Sequence, residues 1–155
     1  MLANFAKVHL GGEKNMYRIA ICDDDLVFGS LLEQYLQNFA KTRRIPIDVL
    51  VFARGEEYLE FLIEELPVDL IFLDIQFEKG LDGVQIGKEL RADIKNEMTQ
   101  IIYISGIESY AMQLFQNRPM DFLVKPVKQE RVDHIMEEYL RLFGNRNKQY
   151  FDYNV

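Results

Sequence analysis

The chain has few of the residues that build disulfides and zinc sites. It contains one cysteine, Cys22, and two histidines, His9 and His134, among 155 residues. A single cysteine excludes an intrachain disulfide and a thiolate metal centre, and it agrees with a reducing cytoplasm. Because Cys22 lies within an apolar run, we interpret it as a small buried hydrophobic residue. Neither histidine has a second histidine or a cysteine with zinc-site spacing.

The chain also lacks excess positive charge and long apolar segments. Its net charge is −7 and its isoelectric point is near 4.9, which disfavours tight binding to nucleic acid or to an anionic membrane. No apolar run approaches the roughly 18 residues that span a bilayer, and residues 1–15 lack the apolar stretch of a signal peptide. We therefore expect a cytoplasmic protein that binds a partner protein, a cation or a small phosphorylated compound.

What the chain does contain is a regular alternation of two hydrophobic patterns. Short runs rich in Ile, Val, Leu and Phe predict strands at 17–22, 46–52, 69–74, 100–105 and 121–125. Amphipathic stretches between them predict helices at 26–40, 55–66, 83–94, 107–116 and 128–143. Strands that alternate with helices predict an α/β fold, with a doubly wound five-stranded parallel sheet covered by helices on both faces.

Polar residues follow four of these five strands, where each strand ends. Asp23-Asp24-Asp25 follow the first strand, Asp74 ends the third, Ser105 ends the fourth and Lys125 ends the fifth. Functional groups gather at the carboxyl ends of strands in such sheets. We therefore expect these side chains to meet at one edge of the sheet.

Three carboxylates and one lysine at one point leave an excess of negative charge. Mg²⁺ suits this excess, since it prefers oxygen ligands and is often held by one or two carboxylates and a phosphate. Beside the metal, Asp74 could act as a nucleophile that forms a phosphoryl intermediate. Ser105 and Lys125 could then contact the phosphoryl oxygens.

Four motifs at these strand ends resemble those of the receiver domain of bacterial two-component response regulators. They are 22-CDDD-25, 71-IFLDI-75, 101-IIYISG-106 and 121-DFLVKP-126. The resemblance covers Tyr17 to Phe143 and implies a receiver domain over residues 16–143. It also implies a flavodoxin-like (βα)5 fold with strand order 2-1-3-4-5.

The resemblance implies a phosphoacceptor and a metal site. It makes Asp74 the residue that accepts the phosphoryl group. It also makes Asp24 a direct ligand of Mg²⁺ and Asp23 a ligand through water. The backbone carbonyl of Gln76 would complete the metal site. Asp25 falls outside this set, and we interpret it as the cap of the first helix.

The resemblance also implies a switch. Ser105 would hydrogen-bond a phosphoryl oxygen in the active state, and Lys125 would pair with the phosphoryl group. Phe122 corresponds to the aromatic switch residue that turns inward with Ser105. Taken alone, Ser105 would more often be a cap or turn residue, and Phe122 would more often be a core residue.

One loop departs from the family pattern, and two other functions stay open. The loop 76-QFEKGLDG-83 is one residue longer than usual and lacks the usual proline. This loop keeps open a receiver used as a phosphorylation-independent interaction module. A phosphatase or phosphotransferase with an aspartyl intermediate usually has a second Asp two residues after the nucleophile, and Gln76 argues against it.

The resemblance further implies partners, and the residues before and after the receiver stretch predict further segments. We expect a sensor histidine kinase as phosphodonor and a homodimer through the face formed by helix 107–116, strand 121–125 and helix 128–143. The domain would phosphorylate itself without a turnover substrate. Residues 1–15 would be a leader or arm. Residues 144–155 would be a linker and the start of a truncated output domain, of LytTR type, through which alone DNA would be bound.

Overall fold

The computed structural model of the chain describes residues 16–64, 67–77, 80–93, 96–106 and 115–144. The strands are β1 (Tyr17–Cys22), β2 (Ile47–Phe52), β3 (Leu70–Asp74), β4 (Gln100–Ser105) and β5 (Asp121–Val124). The α-helices are α1 (Leu26–Arg43), α2 (Gly55–Glu64), α3 (Gly83–Lys88) and α4 (Gln129–Tyr139). A π-helical turn continues α3 over Glu89–Asp93 and another continues α4 over Leu140–Gly144. Most of the predicted helix 107–116 lies outside the described residues.

The five strands form one parallel sheet in the order β2-β1-β3-β4-β5, which confirms the predicted fold and strand order. The register pairs Cys22 of β1 with Leu73 of β3. The residues that follow these two positions, Asp23 and Asp74, therefore lie side by side at the carboxyl edge of the sheet.

Hydrophobic clusters cover both faces of the sheet. Alternate residues of β1 enter different clusters: Ile19 and Ile21 pack with α1 and α4, whereas Ala20 and Cys22 pack with α2 and α3. All four are fully buried. This two-sided burial explains why the strand reads as a continuous apolar run, and it confirms the interpretation of Cys22.

Several element boundaries differ slightly from the predicted ones. β2 begins at Ile47 rather than Pro46 because proline has no N–H for the ladder, although the Pro46 carbonyl accepts a hydrogen bond from Tyr17. α1 extends beyond residue 40 to Arg43 and ends where Arg44 adopts a left-handed conformation, with φ of 57°. Among the described residues, no helix is both long and apolar enough to cross a membrane.

Candidate functional site

Side chains from three strand ends meet at the carboxyl edge of the sheet. Asp24 follows β1, Asp74 ends β3 and Lys125 follows β5. These three line an open cleft of about 330 Å³, whose other lining residues are Gln76, Phe77 and Gly106. The edge that the sequence predicted is therefore the place where these groups come together.

Three carboxylates cluster at the cleft. Asp23, Asp24 and Asp74 each present an oxygen within 4.8 Å of the others, and only Asp24 is exposed. The Lys125 ammonium lies 3.2 Å from Asp23 Oδ2 and 3.9 Å from Asp74 Oδ2. One ammonium against three carboxylates leaves the site with an excess of negative charge.

This environment raises the pKa of Asp74 well above its ordinary value. Burial is the main cause, and the nearby charge of Asp23 acts in the same direction. The Lys125 ammonium and the backbone N–H of Gln76, which donates to Asp74 Oδ1 at 3.3 Å, partly oppose the shift of this pKa. The fold therefore holds the Asp74 carboxylate where an added cation would be favourable.

The donor set fits a divalent cation that prefers oxygen. Asp23 Oδ1 accepts the backbone N–H of Asp25 at 2.8 Å. Asp23 Oδ2 is buried and has no hydrogen-bond partner among the described residues, although Lys125 forms an ion pair with it. A buried carboxylate oxygen with unused acceptor capacity, beside two further carboxylates, is the ligand chemistry that Mg²⁺ takes.

The first turn of α1 contacts Lys125, which lines the cleft. Asp25 caps the helix, since its Oδ1 accepts the N–H groups of Val27 and Phe28 at 3.1 Å each, as predicted. The capped turn places the Phe28 ring under Lys125, whose ammonium lies 4.4 Å from the ring centroid. Sequence reasoning missed Phe28, because nothing in the spacing shows that a residue of the first turn reaches the end of β5.

A close backbone contact lies at the strand end that carries Asp74. The N–H of Gly83 donates to the Ile75 carbonyl at 2.8 Å. A Cβ atom on Gly83 would lie 2.1 Å from the Asp74 carbonyl oxygen, so only glycine fits here. Asp82 caps α3 in a capping box with Gln85. The Asp-Gly pair thus starts α3 directly against the strand end that carries Asp74.

The loop 76–83, which lacks the usual proline, is hydrogen-bonded to a carboxylate of α2. The Glu56 carboxylate, at the start of α2, accepts the N–H of Leu81 at 3.3 Å and pairs with Arg54 at 3.0 Å. Gly80 lies beside this carboxylate with φ of 82°, a conformation that favours glycine. Residues 78 and 79 of the loop lie outside the described residues.

Ser105 and Phe122 occupy different places near the cleft. Ser105 is buried at the end of β4, and its carbonyl accepts the N–H of Lys125 at 2.8 Å. Phe122 is opposite Tyr103 in the β4–β5 register and is half-buried against the cluster that packs with α2 and α3. The ring packs against this cluster and is not among the residues that line the cleft.

Comparison with known families gives this site its context. Residues 19–137 match the model of the family described as the response regulator receiver domain. The chain belongs to this family, the phosphoacceptor domains of two-component signalling, as its motifs predicted.

Curated relatives are longer than this chain. The sensory transduction protein LytT of Oceanobacillus iheyensis is 34% identical over 77 residues, which cover 50% of this chain and 30% of that protein. LytT of Bacillus cereus is 27% identical over 124 residues, which cover 80% of this chain and 47% of that protein. The chain therefore spans less than half the length of these two relatives.

Solved structures show the same fold. The response regulatory domain of mrkE from Klebsiella pneumoniae has a TM-score of 0.71 at 21% identity and covers 83% of this chain and 98% of that chain. The response regulator TrrA from Thermotoga maritima, in complex with Mg²⁺ and BeF, has a TM-score of 0.68 at 24% identity. That match covers 81% of this chain and 100% of that chain. At these identities the likeness shows the fold alone.

Proposed function

We propose that this receiver domain accepts a phosphoryl group on Asp74 from a sensor histidine kinase. The observation that carries the proposal is the position of the Asp74 carboxylate. It ends β3, lines the open cleft and lies 3.9 Å from the Lys125 ammonium. A nucleophile held beside a cation and open to the cleft suits phosphoryl transfer, which depends mainly on positioning and charge stabilisation.

The phosphoryl group would pass directly from the kinase histidine to Asp74. An Asp74 oxygen forms a bond to phosphorus while the bond from phosphorus to the kinase histidine nitrogen breaks. The leaving imidazole keeps the electron pair and takes up a proton. Lys125 pairs with the phosphoryl oxygens, and its present contacts to Asp23 and Asp74 already hold it at that point. The step modifies the domain itself, so we infer no turnover substrate.

The same side chains would hold Mg²⁺. Asp23, Asp24, Asp74 and the backbone carbonyl of Gln76 are the proposed ligands, and the buried Asp23 Oδ2 supports the first of them. When bound, the ion would offset the charge of the carboxylates and of the transferred phosphoryl group.

Ser105 and Phe122 form the proposed switch. The new phosphoryl group would draw the Ser105 hydroxyl toward the cleft, and Phe122 would follow into the space left behind. The face of residues 107–116, 121–125 and 128–143 would then mediate a homodimer or contact an output domain. Sedimentation velocity of the chain before and after phosphorylation tests the dimer.

The curated relatives support a proposal about the intact protein. LytT proteins are described as sensory transduction proteins and are more than twice as long as the stretch matched here. We therefore infer a cytoplasmic transcription regulator with a LytTR-type DNA-binding domain after this receiver. The coding sequence beyond Val155 tests it, and a continuation without a second domain would contradict it.

Intact-mass spectrometry after incubation with Mg²⁺ and acetyl phosphate tests the phosphoacceptor. We expect the wild-type chain to gain the mass of one phosphoryl group, as acetate leaves, and Asp74→Asn to gain none. A gain in both chains would move the acceptor away from Asp74. No gain in either chain, with Mg²⁺ binding shown separately, would favour a phosphorylation-independent interaction module and point to the loop 76–83.

A further inference from the structure

We propose that Phe28 is a positioning residue that holds the Lys125 ammonium between Asp23 and Asp74. The ammonium lies 4.4 Å from the centroid of the Phe28 ring. This distance is within the range of a cation–π interaction, in which the negative face of the ring attracts the cation. The functional part of this inference rests on the phosphoacceptor role proposed for Asp74.

The geometry shows why Lys125 needs a fixed position. Its side chain is 26% exposed and its two ion pairs are unequal, at 3.2 Å to Asp23 and 3.9 Å to Asp74. A lysine is a flexible stem with a strongly hydrated head, so an exposed path to solvent competes with these contacts. The Phe28 ring covers one side of the ammonium and favours the position beside the carboxylates.

The ring itself has a fixed position. Phe28 is 9% exposed and belongs to the hydrophobic cluster under α1. Its backbone N–H donates to the Asp25 cap at 3.1 Å, so the residue lies in the ordered first turn of α1. Two of the three consecutive aspartates after β1 therefore position Lys125. Asp23 contacts its ammonium directly, and Asp25 fixes the turn that carries the Phe28 ring beneath it.

Nuclear magnetic resonance can test the contact without any phosphorylation. Protons above an aromatic ring shift upfield, so we expect the Lys125 ε-protons to resonate upfield of those of other lysines. The shift should vanish in Phe28→Leu and persist in Phe28→Tyr. It should also persist in Phe39→Leu, a matched control on the same helix. Phe39 is equally part of the α1 cluster, but its ring faces Arg43 instead of Lys125.

Phosphorylation by acetyl phosphate measures the functional effect. We expect the rate for Phe28→Leu to fall about threefold to fivefold, in line with a partly exposed cation–π pair, and Phe28→Tyr to restore it. Mono-, di- and trifluorinated phenylalanine at position 28 weaken the ring's negative face with little change of shape. The rate should therefore fall stepwise along this series. In a Lys125→Met background, the Phe28→Leu substitution should have no further effect.

Two results would overturn the proposal. Lys125 ε-protons at ordinary positions in the wild-type chain would show that the ring does not hold the ammonium. A rate that stays flat across the fluorinated series would reduce Phe28 to core packing. A wild-type chain that never becomes phosphorylated would contradict the proposed function instead, and the ε-proton shift would still decide where the ammonium lies.

Discussion

Three consecutive aspartates follow β1, and each has a different environment. Asp23 is buried and faces Lys125, Asp24 is exposed at the cleft, and Asp25 caps α1. The repulsion expected of neighbouring like charges is reduced because backbone N–H groups and one ammonium take separate oxygens. The excess charge that remains is concentrated where Asp74 joins the first two.

Removal of one charge from this cluster should stabilise the metal-free chain. Burial and the Asp23 carboxylate raise the pKa of Asp74, which means that the ionised form is disfavoured in the folded state. We expect Asp74→Asn, in the presence of EDTA near neutral pH, to raise the free energy of unfolding by about 1 kcal/mol. Urea denaturation of both chains measures this difference.

The control for this substitution is Glu60→Gln, which removes one negative charge from an exposed position on α2. Its effect should lie within about 0.5 kcal/mol of zero. An equal gain from both substitutions would indicate a response to net charge alone. A loss of stability in Asp74→Asn would show that its contact with Lys125 outweighs the repulsion within the cluster.

At the scale of elements, a buried polar network ties α3 to the segment before β5. Asn117 Nδ2 donates to the Tyr103 hydroxyl at 2.8 Å and to the Val84 carbonyl at 3.2 Å. Arg91, in the π-helical turn after α3, donates to the carbonyls of Asn117 and Asn96 at 2.9 and 2.7 Å. The π-helical turn thus places the buried Arg91 guanidinium beside carbonyls of two residues that lie outside the strands.

Truncation of the amide in this network should be costly. We expect Asn117→Ala to lower the free energy of unfolding by about 2 kcal/mol, because the buried Tyr103 hydroxyl and the partly buried Val84 carbonyl each lose a donor. Tyr103→Phe should cost less, since Asn117 keeps its bond to Val84. Urea denaturation of the single and double variants gives the coupling between the two residues. Strictly additive effects would contradict a shared hydrogen bond.

Sequence patterns predicted the strands and the residues at their ends better than the contacts between elements. Continuous apolar runs marked the strands, and the Asp25 cap could be read from local order. The Arg91 network, the Glu56 anchor on Leu81 and the Phe28–Lys125 contact could not. The bond from Arg91 to Asn117 and the other two contacts each join residues 25 or more positions apart in the chain. Such contacts depend on how helices pack on the sheet, and no local periodicity encodes that packing.

At the scale of the whole molecule, the sheet would couple the proposed binding of Mg²⁺ to folding. Asp23 and Asp24 follow β1 whereas Asp74 ends β3, and the sheet order alone makes these strands neighbours. The unfolded chain cannot hold the three carboxylates together. Mg²⁺ should therefore bind the folded state and stabilise it by mass action, by about 2.7 kcal/mol at a concentration 100 times the dissociation constant.

Thermal unfolding with increasing Mg²⁺ measures this coupling. We expect the Tm of the wild-type chain to rise with the logarithm of the Mg²⁺ concentration once the site is saturated, and EDTA to reverse the rise. Asp24→Asn should abolish most of the effect, because it removes the exposed carboxylate that faces the cleft. Glu60→Gln should keep the effect in full. An equal rise in Asp24→Asn would place the stabilising ion elsewhere, since a cation held at the ends of β1 and β3 must respond to the loss of this ligand.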